Sequence, residues 1–140
     1  MVTWWDDSKR AMSLSFLIQP QGGVSAGLIA RNSIRSVIID GPYGKDLALE
    51  DYETVILIAK GIGIAGILPY ARHMTYRRVS KEKDNEAYRR GLIIRKVDVF
   101  WVMEDNSQEH WISEWITDLQ QKDSEKVGPT IIHTRYITDI

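Results

Sequence analysis

The sequence predicts an α/β chain whose second half alternates strand, helix, strand, helix, strand. Three observations predict it: an apolar, β-rich run at 54–59, a glycine-spaced turn directly after it, and an apolar helical stripe lying between two further strand-like runs. An unbroken run of Val, Ile and Leu suits a strand buried on both faces of a parallel sheet. Strands separated by helices imply parallel pairing through right-handed crossovers, a βαβαβ unit.

The elements follow in order. Val2 to Trp5 reads as a short β segment and Leu14 to Gln19 as a longer one, closed by Pro20, Gln21, Gly22 and Gly23. Gly23 to Arg31 fits a short helix opening on glycines, and Ser36 to Asp40 a strand ended by the turn residues Gly41, Pro42, Tyr43 and Gly44. After Thr54–Ala59 a helix-like stretch runs to about Tyr76. The segment 72–96 is polar, with nine Lys/Arg against three Asp/Glu, as expected of a surface excursion. Val97 to Met103 is the next strand. Asp105, Asn106, Ser107 and Gln108 resemble a capping box opening a helix. There Trp111, Ile112, Trp115, Ile116 and Leu119 form one apolar stripe. Thr130 to Ile137 is the last strand. Trp111 and Trp115 are expected in the core, Trp4 and Trp5 at the surface.

Composition narrows the function classes. Hydrophobic residues make up 44% and charged residues 26% of 140 residues, the balance of a globular protein. Eighteen basic and nineteen acidic residues give a net charge of −1, without a nucleic-acid character. No cysteine is present, which excludes disulfides, thiolate metal sites and cysteine nucleophiles in this chain. His73, His110 and His133 lack metal-ligand spacing, so no metal site is expected, and no catalytic triad or paired-carboxylate arrangement stands out. The apolar run at 54–70 is broken by Lys60 and three glycines, so it predicts no membrane span. A soluble, cytosol-facing segment is expected. The basic run fits a solvated loop better than contact with an anionic membrane leaflet.

The sharpest motif is Gly61-Ile-Gly63-Ile-Ala-Gly66, between a strand and a helix. Gly61 permits the tight turn, Gly63 lets backbone approach a phosphate, and Gly66 allows close helix packing. The helix N-terminus then offers unpaired N–H groups and a positive dipole end to a pyrophosphate. This makes the unit a Rossmann-like mononucleotide-binding half. Pro69 lies within the helix, where it removes a backbone donor and favours a variant of that fold.

Asp40-Gly-Pro-Tyr-Gly44, Tyr52 to Ala59, Gly61 to Tyr70, Val99-Phe-Trp101 and Glu109-His-Trp-Ile-Ser-Glu-Trp115, in this order, resemble the NAD(P)H-binding domain of fungal ferric-chelate reductases. These belong with the NADPH oxidases in the ferredoxin–NADP reductase-like superfamily. The resemblance implies that Gly61, Gly63, Gly66 and Pro69 form the nicotinamide-nucleotide pyrophosphate loop. It implies that Gly41, Pro42 and Gly44 form the junction with a flavin domain, and that Gly23 and Ser25 face the FAD pyrophosphate; a plain helix cap is an equal reading for Ser25. On this basis residues 1–49 are expected to be the end of a flavin-binding barrel with its junction, and 50–140 the first part of the NAD(P)H-binding domain. The family's flavin motifs and haem helices have no counterpart here, so a fragment without ferric reductase turnover of its own is expected. Lys60 replaces a small residue of many relatives and could meet phosphate.

The dinucleotide is NADPH or NADH. The second strand ends in Glu104 and Asp105, and an acid there favours a free ribose 2′-hydroxyl, whereas ferric reductases generally prefer NADPH. Arg72, Arg77 and Arg78 could offset that charge. The implied reaction passes hydride to flavin, then single electrons through haem to ferric iron. No side chain here is expected to act as acid or base, and the membrane is expected only through other parts of the parent. Two alternatives remain: a non-catalytic fragment or partner-binding module using an exposed sheet edge or tryptophans, and an oxidase-like enzyme with oxygen as acceptor.

Overall fold

The computed structural model describes residues 2–5, 12–23, 25, 27, 38–40, 45, 47–79, 93–124 and 132–138. The chain divides into two compact units, one of Met1–Leu17 with Leu49–Ile140, the other of Ile18–Ala48.

The larger unit is built on a three-stranded parallel sheet of β3 (Thr54–Lys60), β4 (Lys96–Met103) and β5 (Ile132–Thr138), in that spatial order. Val55 stands opposite Val97, which stands opposite Ile132. Helix α1 (Ile64–Val79) follows β3, and α2 (Ser113–Ser124) follows β4. The two helices pack on each other, α1 against β3 and β4, and α2 against β5. The fold is therefore mixed α/β and Rossmann-like, as the alternation predicts. A small antiparallel sheet of β1 (Trp4–Trp5) and β2 (Leu14–Ser15) stands at the N-terminus.

The core lies between the sheet and the helices. Val55, Leu57 and Ala59 from β3, Val97, Val99, Trp101 and Met103 from β4, Ile64, Leu68, Ala71 and Met74 from α1, and Ile116 and Leu119 from α2 are all buried in it. Each of the large aliphatic side chains contributes about 1.5–3 kcal/mol by leaving water. The helical stripe thus does what its spacing predicts. Trp111 and Trp115 are partly buried against this core.

The β3 run is not buried on both faces. Its residues alternate, with Ile56 and Ile58 57% and 69% exposed. Both helices lie on one side of the sheet, and the β3 residues of the other parity stay exposed. The central strand β4 comes closer to two-sided burial, since Val97, Asp98 and Val99 are consecutively buried.

Other elements also depart from expectation. Of Leu14 to Gln19 only Leu14–Ser15 pairs, and residues 16–20 are irregular. Residues 38–40 form no strand, with Ile38 and Ile39 exposed; a strand without a paired neighbour and a covered face is not stable. Positions 36 and 37 lie outside the described residues. The capping sequence opens a 3-10 turn, Asn106–Trp111, and the α-helix starts only at Ser113. Helix α1 runs ten residues past Pro69. A proline removes one donor, and the packing of the α1 face outweighs that loss.

Trp4 and Trp5 are not exposed: Trp4 is buried and Trp5 half-buried. Trp4 stacks on Trp115 at 5.7 Å with the rings 8° from parallel. The buried Arg72 guanidinium lies 4.2 Å from the Trp5 ring centre and 3.9 Å from that of Tyr76. Thr3 adds a backbone bond from its N–H to Ser15 O and accepts from the Leu17 N–H on its hydroxyl. The N-terminal pair is thereby fastened to α1 and α2 by cation–π and stacking contacts, worth about 2 kcal/mol or more each when desolvated for the former.

Candidate functional site

The glycine loop sits at the carboxyl end of β3. Gly61–Gly63 forms a single 3-10 turn that runs into α1 at Ile64. Gly61 has φ of +49°, the left-handed region that a side chain disfavours. The turn is pinned from β4: the buried indole of Trp101 donates to Gly61 O at 2.8 Å. The same carbonyl accepts the Ile64 N–H.

The N–H groups at the start of this turn have no carbonyl one turn earlier to bond. Lys60, at the cap position, supplies no side-chain acceptor, and a lysine has none to give. Gly63 is exposed, and a Cβ there would lie 3.9 Å from the Ala59 Cβ, ordinary contact. No described neighbour requires glycine at 63. The absent side chain instead leaves the helix N-terminus open, which is what an approaching phosphate needs.

Glu104 and Asp105 follow the last residue of β4. A Cβ on Gly61 would meet the Glu104 Oε1 at 3.4 Å, so the carboxyl group lies against the glycine turn. The side chain is exposed and has no hydrogen bond or ion pair among the described residues. Its backbone N–H is held by Gln108 Oε1 at 3.0 Å. Asp105 caps the following turn, accepting from the Ser107 N–H at 2.7 Å. Hydrogen bonds from Ser107, through its side chain and then its backbone, hold the Asp105 carboxyl below its ordinary range. Asp105 is thus engaged locally, while Glu104 is the acid turned to the loop.

Beyond Trp101 the aromatic packing continues to Trp111 and to Tyr136 of β5, at ring-centre distances of 6.3 and 6.2 Å. Partial burial, then the nearby Glu109 charge, push the Tyr136 phenol above its usual pKa. The glycine spacing does not mark Trp101, and Gln108, expected as part of a capping box, accepts from the Glu104 N–H rather than from that of the cap residue Asp105. The available signal was a tryptophan inside an apolar strand, whose N–H must find a partner once buried.

The remaining predicted residues are placed as follows. Gly66 and Pro69 lie in the first turns of α1 and are half-buried. Arg72 is about 12 Å along the helix from Ile64 and is enclosed by Trp5 and Tyr76. Lys60 is exposed and shares its parity with Ile56 and Ile58, on the side of the sheet opposite the helices. Gly23 and Ser25 belong to the smaller unit; Gly23 has φ of +57°, and the Ser25 hydroxyl donates to Gly22 O and accepts from the Gln21 N–H. Gly41, Pro42 and Gly44 lie outside the described residues, as do the side chains of Arg77 and Arg78. Among the described residues no His/Asp/Glu group could hold a metal, and no helix is long and apolar enough to cross a membrane.

A parallel β-α-β unit with an open glycine turn at the first strand and a free carboxyl group at the second defines a dinucleotide-binding protein of the Rossmann-like class. The model of the ferric reductase NAD binding domain matches residues 52–139, and the chain belongs to that family. It is an NAD(P)H-binding oxidoreductase segment. No curated protein and no solved structure matches it significantly.

Proposed function

We propose that this segment serves a ferric reductase-like flavoprotein, in which NAD(P)H reduces a flavin and electrons pass on, through haem, to ferric iron. The observation carrying the reading is Gly63: an exposed glycine at an uncapped helix N-terminus, unexplained by its protein neighbours, inside a segment of the ferric reductase family. The dinucleotide, when bound, supplies the hydride. The chain supplies placement. The N–H groups of the Gly61–Gly63 turn and the dipole of α1 would hold the pyrophosphate, and Trp101 keeps the turn in shape. Hydride transfer needs orientation of the two rings rather than an acid or a base from the protein.

We assign residues 50–140 to nucleotide binding and 1–49 to the flavin side and junction, with Gly23, Ser25, Gly41, Pro42 and Gly44 as its contacts. In the parent this segment faces the cytosol. A transfer to oxygen would use the same nucleotide site.

Thermal unfolding with NADH and NADPH tests the reading. A nucleotide at a hundred times its Kd raises stability by about 2.7 kcal/mol. Indifference to both nucleotides would instead favour a partner-binding module, for which the exposed Ile56 and Ile58 of β3 offer a surface.

A further inference from the structure

We propose that β3 of this chain pairs antiparallel with β3 of a second copy, joining two three-stranded sheets into one of six strands. The pairing does not require a nucleotide at the Gly61–Gly63 turn. β3 is paired with β4 on one side, and among the described residues no strand lies on its other side. A strand so placed presents a row of backbone N–H and C=O groups to which another chain can pair. Natural edges are blunted by a charge or a proline within the strand. From Thr54 to Ala59 β3 has neither, and Val55 to Ile58 is an unbroken β-prone apolar run.

Three features make a second copy the occupant. Antiparallel pairing about Leu57 uses the whole strand twice: Thr54 stands opposite the second copy's Lys60, and Ile56 opposite its Ile58. Opposed residues point to the same face of a sheet, so the isoleucines, 57% and 69% exposed, meet as two cross-strand pairs while Leu57 stays under its own helices. Charge favours the same direction. Asp51 and Glu53 precede the strand and Lys60 ends it, so antiparallel strands bring acidic ends beside basic ones, whereas parallel strands bring like ends together. The pair also closes. Its outer edges are the two β5 strands, where the exposed Arg135 sits mid-strand and resists the addition of a further chain. An isologous contact of this kind ends at a two-fold dimer.

Sedimentation velocity of the full chain over a wide concentration range is the test. The apparent mass should rise with concentration from 16.1 kDa to twice that value and no further. Ile58→Lys, at an exposed position, should keep the circular dichroism of wild type and remain monomeric where wild type is dimeric. The chain has no cysteine, so single substitutions report the register. Ile56→Cys mixed with Ile58→Cys should cross-link on oxidation in higher yield than either variant alone, because only the mixed pair stands directly opposite. A monomer at every concentration, whatever else that edge binds, overturns the proposal. So does a dimer indifferent to Ile58→Lys, cross-linking that is equal in the mixture and the single variants, or growth beyond the dimer.

Discussion

At the scale of single residues, the loop depends on a contact that is distant in sequence. Trp101 is fully buried, and its indole N–H reaches the carbonyl of Gly61, forty positions earlier. A phenylalanine there would fill most of the space but leave the carbonyl with one donor fewer. Trp101→Phe should therefore cost about 2 kcal/mol in denaturant unfolding, from the lost buried hydrogen bond and lost volume together. It should also weaken nucleotide binding, because Gly61 must hold a left-handed backbone and this bond pins its carbonyl. Unchanged stability would show that the bond is not maintained in solution.

Elements are set by their ends as much as by their faces. The turn after β4 starts with Asp105, whose carboxyl accepts from Ser107 and is held below its ordinary range by that bond. A carboxyl group with a lowered folded-state pKa stabilises the fold above its unfolded value, and that contribution is lost as pH falls through the folded value. Asp105→Ala should thus melt below wild type at neutral pH, and the gap should close as pH drops below about 4. A gap independent of pH would mean that the bond from Ser107 does not depend on charge. The same turn holds the chain at Glu104, whose N–H donates to Gln108 Oε1.

For the whole molecule, the placement of both helices on one side of the sheet decides which apolar residues matter. Leu57 and Ile58 are neighbours of similar hydrophobicity, yet Leu57 is buried under the helices and Ile58 is 69% exposed. Leu57→Ala should cost about 2–5 kcal/mol, and Ile58→Thr less than about 0.5 kcal/mol. Comparable losses from both would mean that the second face of β3 is covered in solution. Five tryptophans serve different ends in the same framework: Trp101 holds the loop, Trp111 packs on it, and Trp4, Trp5 and Trp115 fasten the N-terminal strands through stacking and Arg72.

Local chemistry determined the alternation of strands and helices, the glycine turn and the apolar stripe of α2, since each is written in neighbouring residues and a fixed period. The same spacing marked Glu104 and Asp105 together as acids at a strand end but could not separate them. Only the tertiary structure did, because one is consumed by a cap and the other is left against Gly61. It alone decided that β3 is covered on one face, that Trp4 is buried, and that Arg72 is enclosed against Trp5. These depend on which surfaces meet across long stretches of chain, and a one-dimensional pattern records periodicity without recording what arrives to cover each face.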